Sequence, residues 1–97
     1  MLGTPELLSI HRIPTLLRME WEEGLPRWVQ ITDDLEKQIQ SGEYAPGERV
    51  PSVLTIMERY GVASATAHKA LAGLRNRGHT KTYPGMGSYV KRPDPSN

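Results

Sequence analysis

The sequence predicts a mainly α-helical fold with a small antiparallel β-sheet (α+β), in which three helices precede one β-hairpin. Apolar residues recur at three- and four-residue spacing after Pro26, which indicates a helix with one buried face. Two further helical patterns meet at Gly61, and strand-type residues flank the glycine-containing residues 84–87. Two helices that are joined by a tight turn and followed by a hairpin are typical of a winged helix-turn-helix.

The first predicted helix begins after Pro26 and ends at residues 41–42, since Gly42 can adopt the left-handed conformation that closes a helix. Its apolar face consists of Trp28, Ile31, Leu35 and Ile39. A loop with a tight turn at residues 46–47 follows. Val50 precedes a proline and is therefore extended, and we expect residues 49–51 to pair as a short strand with the hairpin.

The second and third helices form the predicted helix-turn-helix. The second runs from Ser52, a natural N-cap, to about Tyr60, and Gly61 allows the sharp reversal that follows. The third is predicted over residues 64–77. Its inner face consists of Ala67, Ala70, Leu71 and Leu74. Its outer face consists of Ser64, Ala65, His68, Lys69, Ala72 and Arg75.

The hairpin is predicted from strands at residues 80–83 and 88–91, which residues 84–87 join. Its tip contains Gly85 and Gly87, which can approach a phosphate backbone or a minor groove because no Cβ stands in the way. An ordinary hairpin loop is the alternative. We expect residues 25–92 to form one domain, residues 1–24 a flexible leader with a possible short helix, and residues 93–97 the start of a linker.

Composition narrows the class of protein. The 97 residues suit one small domain, and the absence of cysteine suits a reducing cytoplasm. No apolar run approaches the ~18 residues of a membrane-spanning helix, so no membrane partner is expected. No cluster of metal-ligating residues, phosphate loop or activated nucleophile is present in the sequence, so we expect no enzyme, cofactor or metal. We expect a cytoplasmic protein, located at the nucleoid if it binds DNA.

Charge is unevenly distributed along the chain. Residues 1–63 carry six basic and ten acidic side chains, whereas residues 64–97 carry six basic side chains and one acidic side chain. His68 and His79 lie in the basic part and could add charge near a polyanion. This pattern is expected of a third helix and a hairpin that contact phosphates, and it predicts that residues 64–91 face DNA. Chance asymmetry in a small protein is the alternative.

Several short motifs also follow one another in a fixed order. They are Gln30-Ile31 with Leu35 and Ile39, Ser41-Gly42, Pro46-Gly47, Val50-Pro51-Ser52, Tyr60-Gly61-Val62, Thr66, Ala70-Leu71, Leu74, Gly78 and Gly85-x-Gly87-Ser88-Tyr89-Val90. Each is weak alone, but at this spacing they resemble the DNA-binding domain of the GntR family of bacterial transcription regulators. The resemblance implies a winged-helix domain that binds DNA sequence-specifically, with repression of transcription by occupying an operator as the expected role.

The resemblance also implies which residues contact DNA. The helix at residues 64–77 would enter the major groove, and the hairpin tip at residues 84–88 would reach the minor groove. The helix would present to the bases Ala63, Ser64, Ala65, Thr66 and His68. Ser52 would lie near the DNA backbone at a helix N-terminus. The wing tip would consist of Gly85, Met86 and Gly87. Further candidates, for which solvated or packing roles are the alternatives, are Lys69, Arg75, Lys81 and Tyr83.

Two positions depart from the family pattern. Val53-Leu54 stand where Glu-Arg is usual, and Ala63-Ser64 stand where Ser-Arg is usual. Two arginines that could form bidentate contacts with guanine are therefore missing. We expect hydroxyl groups, alanine methyl groups and His68 to read a different DNA sequence. Ala63 also lacks a capping oxygen, which costs ~1 kcal/mol unless Ser64 supplies one.

The resemblance finally implies partners. Family members usually bind palindromic sites as dimers and carry a larger C-terminal domain that senses a small effector. We expect this chain to be an isolated DNA-binding region whose partner is double-stranded DNA, and the full-length protein to self-associate through that further domain. A short family member without a sensor is the alternative. A winged helix used for protein–protein contact is the competing function.

Overall fold

The computed structural model describes residues 20–92; the predicted linker and residues 1–19 of the predicted leader lie outside this range. The elements are α1 (Arg27–Gln40), α2 (Val53–Tyr60), α3 (Ser64–Asn76), β1 (Thr80–Tyr83) and β2 (Gly87–Val90). Three helices and a two-stranded antiparallel sheet confirm the predicted winged helix. None of the helices in residues 20–92 is long and apolar enough to cross a membrane.

The core forms where the inner faces of the three helices meet. Ile31 and Leu35 of α1, Ile56 of α2 and Leu74 of α3 are at most 1% exposed, as their spacing predicted. Burying each of these side chains stabilises the fold by roughly 1.5–3 kcal/mol relative to an exposed one. Partly buried side chains, Trp28 among them, pack around this cluster and complete a core that contains no phenylalanine.

α1 and α3 approach closely because the residues of α3 that face α1 are small. Ala67, Ala70 and Gly73 are all buried, and Gly73 lies against Thr32 and Trp28 of α1. The hydroxyl oxygen of the buried Thr32 lies 2.7 Å from the carbonyl oxygen of Trp28 and 3.0 Å from that of Ala70. Since Trp28 belongs to α1 and Ala70 to α3, this hydroxyl joins the two helices. The alanines were predicted from the sequence, whereas the need for glycine at position 73 was not.

The turn between α2 and α3 has the geometry that its glycine permits. Gly61 has a φ of +67°, and its N–H donates to the carbonyl oxygen of Met57 at 2.8 Å. Ser52 caps α2 as predicted, because its hydroxyl oxygen accepts the N–H of Thr55 at 3.2 Å. Ala63 occupies the N-cap position of α3, and within the described chain no side chain caps that helix. The expected capping loss is therefore not offset by Ser64.

Tyr60 links α2 to α1. Its hydroxyl donates to Oδ2 of Asp34 at 2.6 Å, and its ring is buried in the core. Burial, together with the hydrogen bond to Asp34, raises the pKa of Tyr60 above its ordinary value. The hydroxyl therefore keeps its proton, and its role as donor, throughout the physiological pH range.

A third extended segment holds the hairpin against the rest of the domain. In the hairpin, Thr80 is opposite Val90. Arg49 forms an antiparallel bridge with Tyr89, and the N–H of Val50 donates to the carbonyl oxygen of Ser88 at 2.9 Å. The predicted pairing of residues 49–51 with the hairpin is thus confirmed at residues 49 and 50. Because α2 starts three residues after Val50, the wing and the start of α2 are held together.

The packed part of the chain extends further toward the N-terminus than we predicted. Trp21 is partly buried against the core cluster. The side-chain amide of Gln30 accepts the N–H of Glu22 at 2.8 Å and donates to the carbonyl oxygens of Glu22 and Leu25, both at 3.0 Å. Residues 20–22 are not helical, and the remainder of the possible short helix lies outside the described residues.

Gly73→Ala should destabilise the domain, because a Cβ at this position would lie 2.6 Å from Oγ1 and 3.1 Å from Cγ2 of Thr32. We expect the free energy of unfolding to fall by about 1 kcal/mol, since an overpacking cost of about 1–3 kcal/mol exceeds the gain of about 1 kcal/mol for alanine over glycine in a helix. Urea denaturation measures this change. In a Thr32→Ala background the two nearest obstructing atoms are gone and Cζ3 of Trp28 remains at 3.2 Å, so the same substitution should cost clearly less. An equal loss in both backgrounds would contradict the proposed clash.

Candidate nucleic-acid interface

Most of the outer face of α3 is exposed. Ala63, Ser64, Ala65, His68 and Lys69 are exposed at its N-terminal end, and Thr66 is half-buried. The side chains that form the core lie on the opposite face. The first turns of α3 therefore present small and polar side chains to the surroundings, as the sequence predicted.

A groove separates the outer face of α3 from the hairpin. This wing groove has a volume of about 620 Å³ and is lined by residues 49–53 and 82–88 together with His68, Lys69, Leu71, Ala72 and Arg75. Three of the lining side chains are cationic, namely Arg49, Lys69 and Arg75, and none of them is acidic. A concave surface with cations and without carboxylates attracts a polyanion.

The wing groove unites only part of the predicted site. It brings Ser52, His68, Lys69 and Arg75 together with Tyr83 and the tip residues Gly85, Met86 and Gly87. Ala63, Ser64, Ala65 and Thr66 lie outside it, at the start of α3, and Lys81 lies on another face of the hairpin. The predicted residues thus form two adjoining surfaces, the start of α3 and the wing groove.

Hydroxyl groups connect α3 to the wing. Nη1 of Arg75 donates to Oγ1 of Thr82 at 3.4 Å, and Thr82 Oγ1 lies 2.8 Å from Oγ of the buried Ser88. Arg75, which lines the wing groove, therefore links α3 to β1. This contact and the pairing of residues 49–50 with β2 set the position of the wing relative to α3.

The wing tip projects into solvent on a tight turn. The N–H of Met86 donates to the carbonyl oxygen of Tyr83 at 2.9 Å, and the Met86 side chain is 60% exposed. Gly85 and Gly87 have φ angles of +77° and +113°, which L side chains rarely adopt. Both glycines are therefore needed for the turn itself.

Lys81 and Tyr83 lie on an aromatic face of the hairpin. Nζ of Lys81 lies 5.5 Å from the ring centroid of Tyr83, and the rings of Tyr83 and Tyr89 are 5.8 Å apart in an edge-to-face arrangement. The hydroxyl of Tyr89 donates to the carbonyl oxygen of Met86 at 3.2 Å. Tyr83 thus makes the cross-strand contact named as its alternative role, while 43% of its surface remains exposed.

The hydroxyl group of Ser52 is engaged in hydrogen bonds at the start of α2. Its hydroxyl oxygen accepts from the N–H of Thr55, and its hydroxyl group donates to Oγ1 of Thr55 at 3.0 Å. What Ser52 offers near the wing groove is therefore the N-terminal end of α2, whose first N–H groups lack intrahelical acceptors. Leu54 of that first turn, at one of the positions where the family usually has arginine, is 61% exposed.

Two basic residues that we assigned to the DNA-facing half turn out to face α1. Nη1 of Arg77 lies 2.8 Å from Asp33 Oδ1 and 2.9 Å from Glu36 Oε1. The hydrogen bond to Asp33 is the largest contribution that raises the pKa of Arg77. His79 pairs with the other carboxylate oxygen of Glu36. The linear charge split was therefore wrong for these two side chains, because carboxylates distant in sequence lie against them.

Arg49 is the converse case, since it lies in the acidic half of the sequence yet lines the wing groove. Its guanidinium packs under the wing, where a Cβ added to Gly87 would meet Arg49 Nε at 2.7 Å. The sequence did contain information that places Arg49 near the wing. Pairing of residues 49–51 with the hairpin was predicted, and such pairing necessarily brings residue 49 to the wing.

The described residues contain no group of three or more His, Cys, Asp and Glu side chains that could hold a metal ion. His68 lies in the wing groove beside Lys69, and no acidic side chain lines that groove. The chemistry available at this surface is therefore hydrogen-bond donation and positive charge, together with apolar contact from alanine and methionine side chains.

Gly87→Ala should destabilise the wing more than Gly85→Ala. Each substitution places alanine at a positive φ, at a cost of about 1–2 kcal/mol. Only the Cβ at position 87 would also displace Arg49, since a Cβ at position 85 has nothing within 4 Å, so we expect a further loss of about 1 kcal/mol there. Thermal unfolding measures the difference, and the Nε–H resonance of Arg49 should shift only in Gly87→Ala. Identical behaviour of the two variants would contradict this packing.

Comparison with known proteins assigns the chain to a family. Residues 28–90 match the family described as bacterial regulatory proteins, gntR family. The chain is 33% identical over 72 residues to the transcriptional repressor NagR of Bacillus subtilis, an alignment that covers 74% of this chain and 30% of NagR. It is 30% identical over 74 residues to the arabinose metabolism transcriptional repressor of Geobacillus stearothermophilus, covering 76% of this chain and 20% of the repressor.

A solved structure has the same fold. The structure of AraR(DBD) in complex with operator ORE1 superimposes with a TM-score of 0.67 and 26% identity, covering 74% of this chain and 88% of that chain. The chain spans less than a third of the length of the two repressors, so the similarity concerns one region of each. Since the family match covers residues 28–90 and the fold agrees, this chain belongs to the GntR family of bacterial regulatory proteins.

Proposed function

We propose that this chain is the sequence-specific DNA-binding domain of a transcriptional repressor. In this proposal α3 enters the major groove, and the hairpin tip at residues 84–88 reaches the adjacent minor groove. The observation that carries it is the wing groove, where cations from α3 and from the segment before α2 line one concave surface without carboxylates. The repressors among its relatives and the operator complex of AraR(DBD) support the same function.

Base recognition is proposed for the start of α3. Hydroxyl groups of Ser64 and Thr66 and the ring of His68 can hydrogen-bond to base edges, and the methyl groups of Ala63 and Ala65 suit contact with thymine. Phosphate contact is proposed for Lys69, Arg75 and Lys81. Because these cations are exposed, the affinity should fall as the salt concentration rises.

The whole protein is proposed to act as a dimer on a palindromic operator. The two repressors named above are about three to five times longer than the region of similarity, which leaves room in such proteins for a domain that self-associates and senses an effector. A regulator of this kind acts at the nucleoid in the cytoplasm and needs no catalytic centre. These properties concern the whole protein and extend the proposal for the domain.

Thr66→Ala and His68→Ala should weaken binding to the specific DNA site by ~1–3 kcal/mol each, because each removes a proposed base contact. Binding to a scrambled duplex should change little. Lys81→Ala should weaken binding to both duplexes alike, since a phosphate contact carries no sequence information. Fluorescence anisotropy with a duplex selected from a random library measures these affinities.

Two results would contradict this division of roles. Parallel losses on both duplexes for all three variants would exclude base reading by α3. Absence of selection for any sequence, or salt-independent binding, would exclude the proposed function and favour a protein–protein contact module instead.

The isolated chain should be mostly monomeric, and two copies should assemble on a palindromic duplex with weak binding to each half-site. The physical reason is that self-association is proposed for a region other than the DNA-binding domain at residues 25–92. Sedimentation velocity without DNA, and then with half-site and full-site duplexes, measures the stoichiometry. A tight dimer without DNA would contradict this prediction and indicate an interface within the 97 residues.

A further inference from the structure

A second concave surface lies beside Arg49, on the side away from the wing. This α2 flank has a volume of about 350 Å³ and is lined by Tyr44, Arg49, Ser52, Thr55 and Arg59, with Val50 and Pro51 between them. None of these lining residues is acidic. Because Arg49 lines both the flank and the wing groove, the two surfaces are continuous.

Arg59 is the cationic side chain that only the flank possesses. Its Nη1 donates to the hydroxyl oxygen of Tyr44 at 3.2 Å, a contact between residues 15 positions apart. A guanidinium has five N–H donors, so the bond to Tyr44 leaves others available. Within residues 20–92 Arg59 takes part in no salt bridge, whereas Arg77 pairs with two carboxylates. Arg59 is thus oriented by a neutral partner and keeps its charge uncompensated there.

The positions of these residues along α2 indicate what the flank can bind. Ser52, Thr55 and Arg59 are spaced by three and four residues, which places them on one side of the helix. That side starts at the wing groove, since Ser52 lines both surfaces. A DNA strand that leaves the wing groove past the start of α2 would therefore meet Arg59 next.

We propose that Arg59 contacts a DNA backbone phosphate at the α2 flank and that Tyr44 is the residue that positions its guanidinium. This contact rests on the proposed DNA-binding function and extends the contact surface by one phosphate. The flank suits a phosphate, because a guanidinium fork and hydroxyl groups match phosphate oxygens. It also lies outside α3, the helix proposed to read base edges.

The test uses the 97-residue chain and a selected duplex of about 30 base pairs. Arg59→Gln keeps most of the stem and an amide that can still bond to Tyr44, but it removes the charge. The slope of log affinity against log salt should fall by about one, as expected for one lost phosphate contact, and the affinity near 0.1 M salt should fall three- to tenfold. Arg59→Lys should restore the slope.

Matched variants separate a specific contact from a change in net charge. Lys37→Gln removes the same charge from an exposed position on α1 that lines neither surface, and it should leave the slope unchanged. Tyr44→Phe keeps the charge of Arg59 but removes its partner. It should lower the affinity two- to threefold with an unchanged slope, which a loss of fold would not produce.

Each outcome decides the inference. An unchanged slope in Arg59→Gln, or equal effects of Arg59→Gln and Lys37→Gln, overturns the contact. If at the same time the wild type binds DNA in a salt-dependent way and His68→Ala weakens the specific complex, the proposed function is retained and only the Arg59–phosphate contact is rejected. If the wild type shows no salt-dependent binding, the proposed function fails and the contact fails with it. If Tyr44→Phe binds like the wild type, the positioning role of Tyr44 is wrong.

Discussion

The close contact between α1 and α3 is the constraint on which the rest of this domain depends. Thr32 places its hydroxyl between the two helices, and the buried residues of α3 include the small Ala67, Ala70 and Gly73. Because small side chains let the helices touch, the buried surface of α3 is narrow. The start of its opposite face, at residues 64, 65, 68 and 69, is exposed and does not belong to the core. The small and polar residues at the start of α3 can therefore serve recognition without a cost to the core.

The fold also determines which basic side chains pair with carboxylates and which line the wing groove. The basic residues Arg77 and His79 pair with carboxylates of α1. In contrast, the wing groove is lined by Arg49, Lys69 and Arg75. Exposed ion pairs such as those of Arg77 contribute little to stability, typically about 0–1 kcal/mol. Their larger effect is on the electrostatic potential, because they cancel charge on the side of α1 and leave the groove cationic. The proposed DNA-facing side is thus defined by which cations remain without acidic neighbours.

Much of this arrangement could be predicted from local sequence signals. The periodicity after Pro26 located α1, Gly61 located the turn, and Ser52 was recognised as a cap. These predictions succeeded because they depend on neighbours a few residues away. The packing of Trp21 against the core, ahead of the predicted start at residue 25, was not foreseen because it depends on contacts that no local pattern reveals. The clash that excludes alanine at Gly73 was missed for the same reason, because Thr32 lies 41 positions earlier.

The sequence by itself determined the winged helix-turn-helix, the inner and outer faces of α3 and the glycine-containing wing tip. Each follows from side-chain periodicity or from the conformations that glycine permits. Only the tertiary structure decided which cations share a surface. Counting charge along the chain assigned Arg77 to DNA and overlooked Arg49 and Arg59, because electrostatic interaction depends on distance in space. The bridge between Arg49 and Tyr89 brings the acidic half of the sequence to the wing, and so it adds an arginine to the proposed interface.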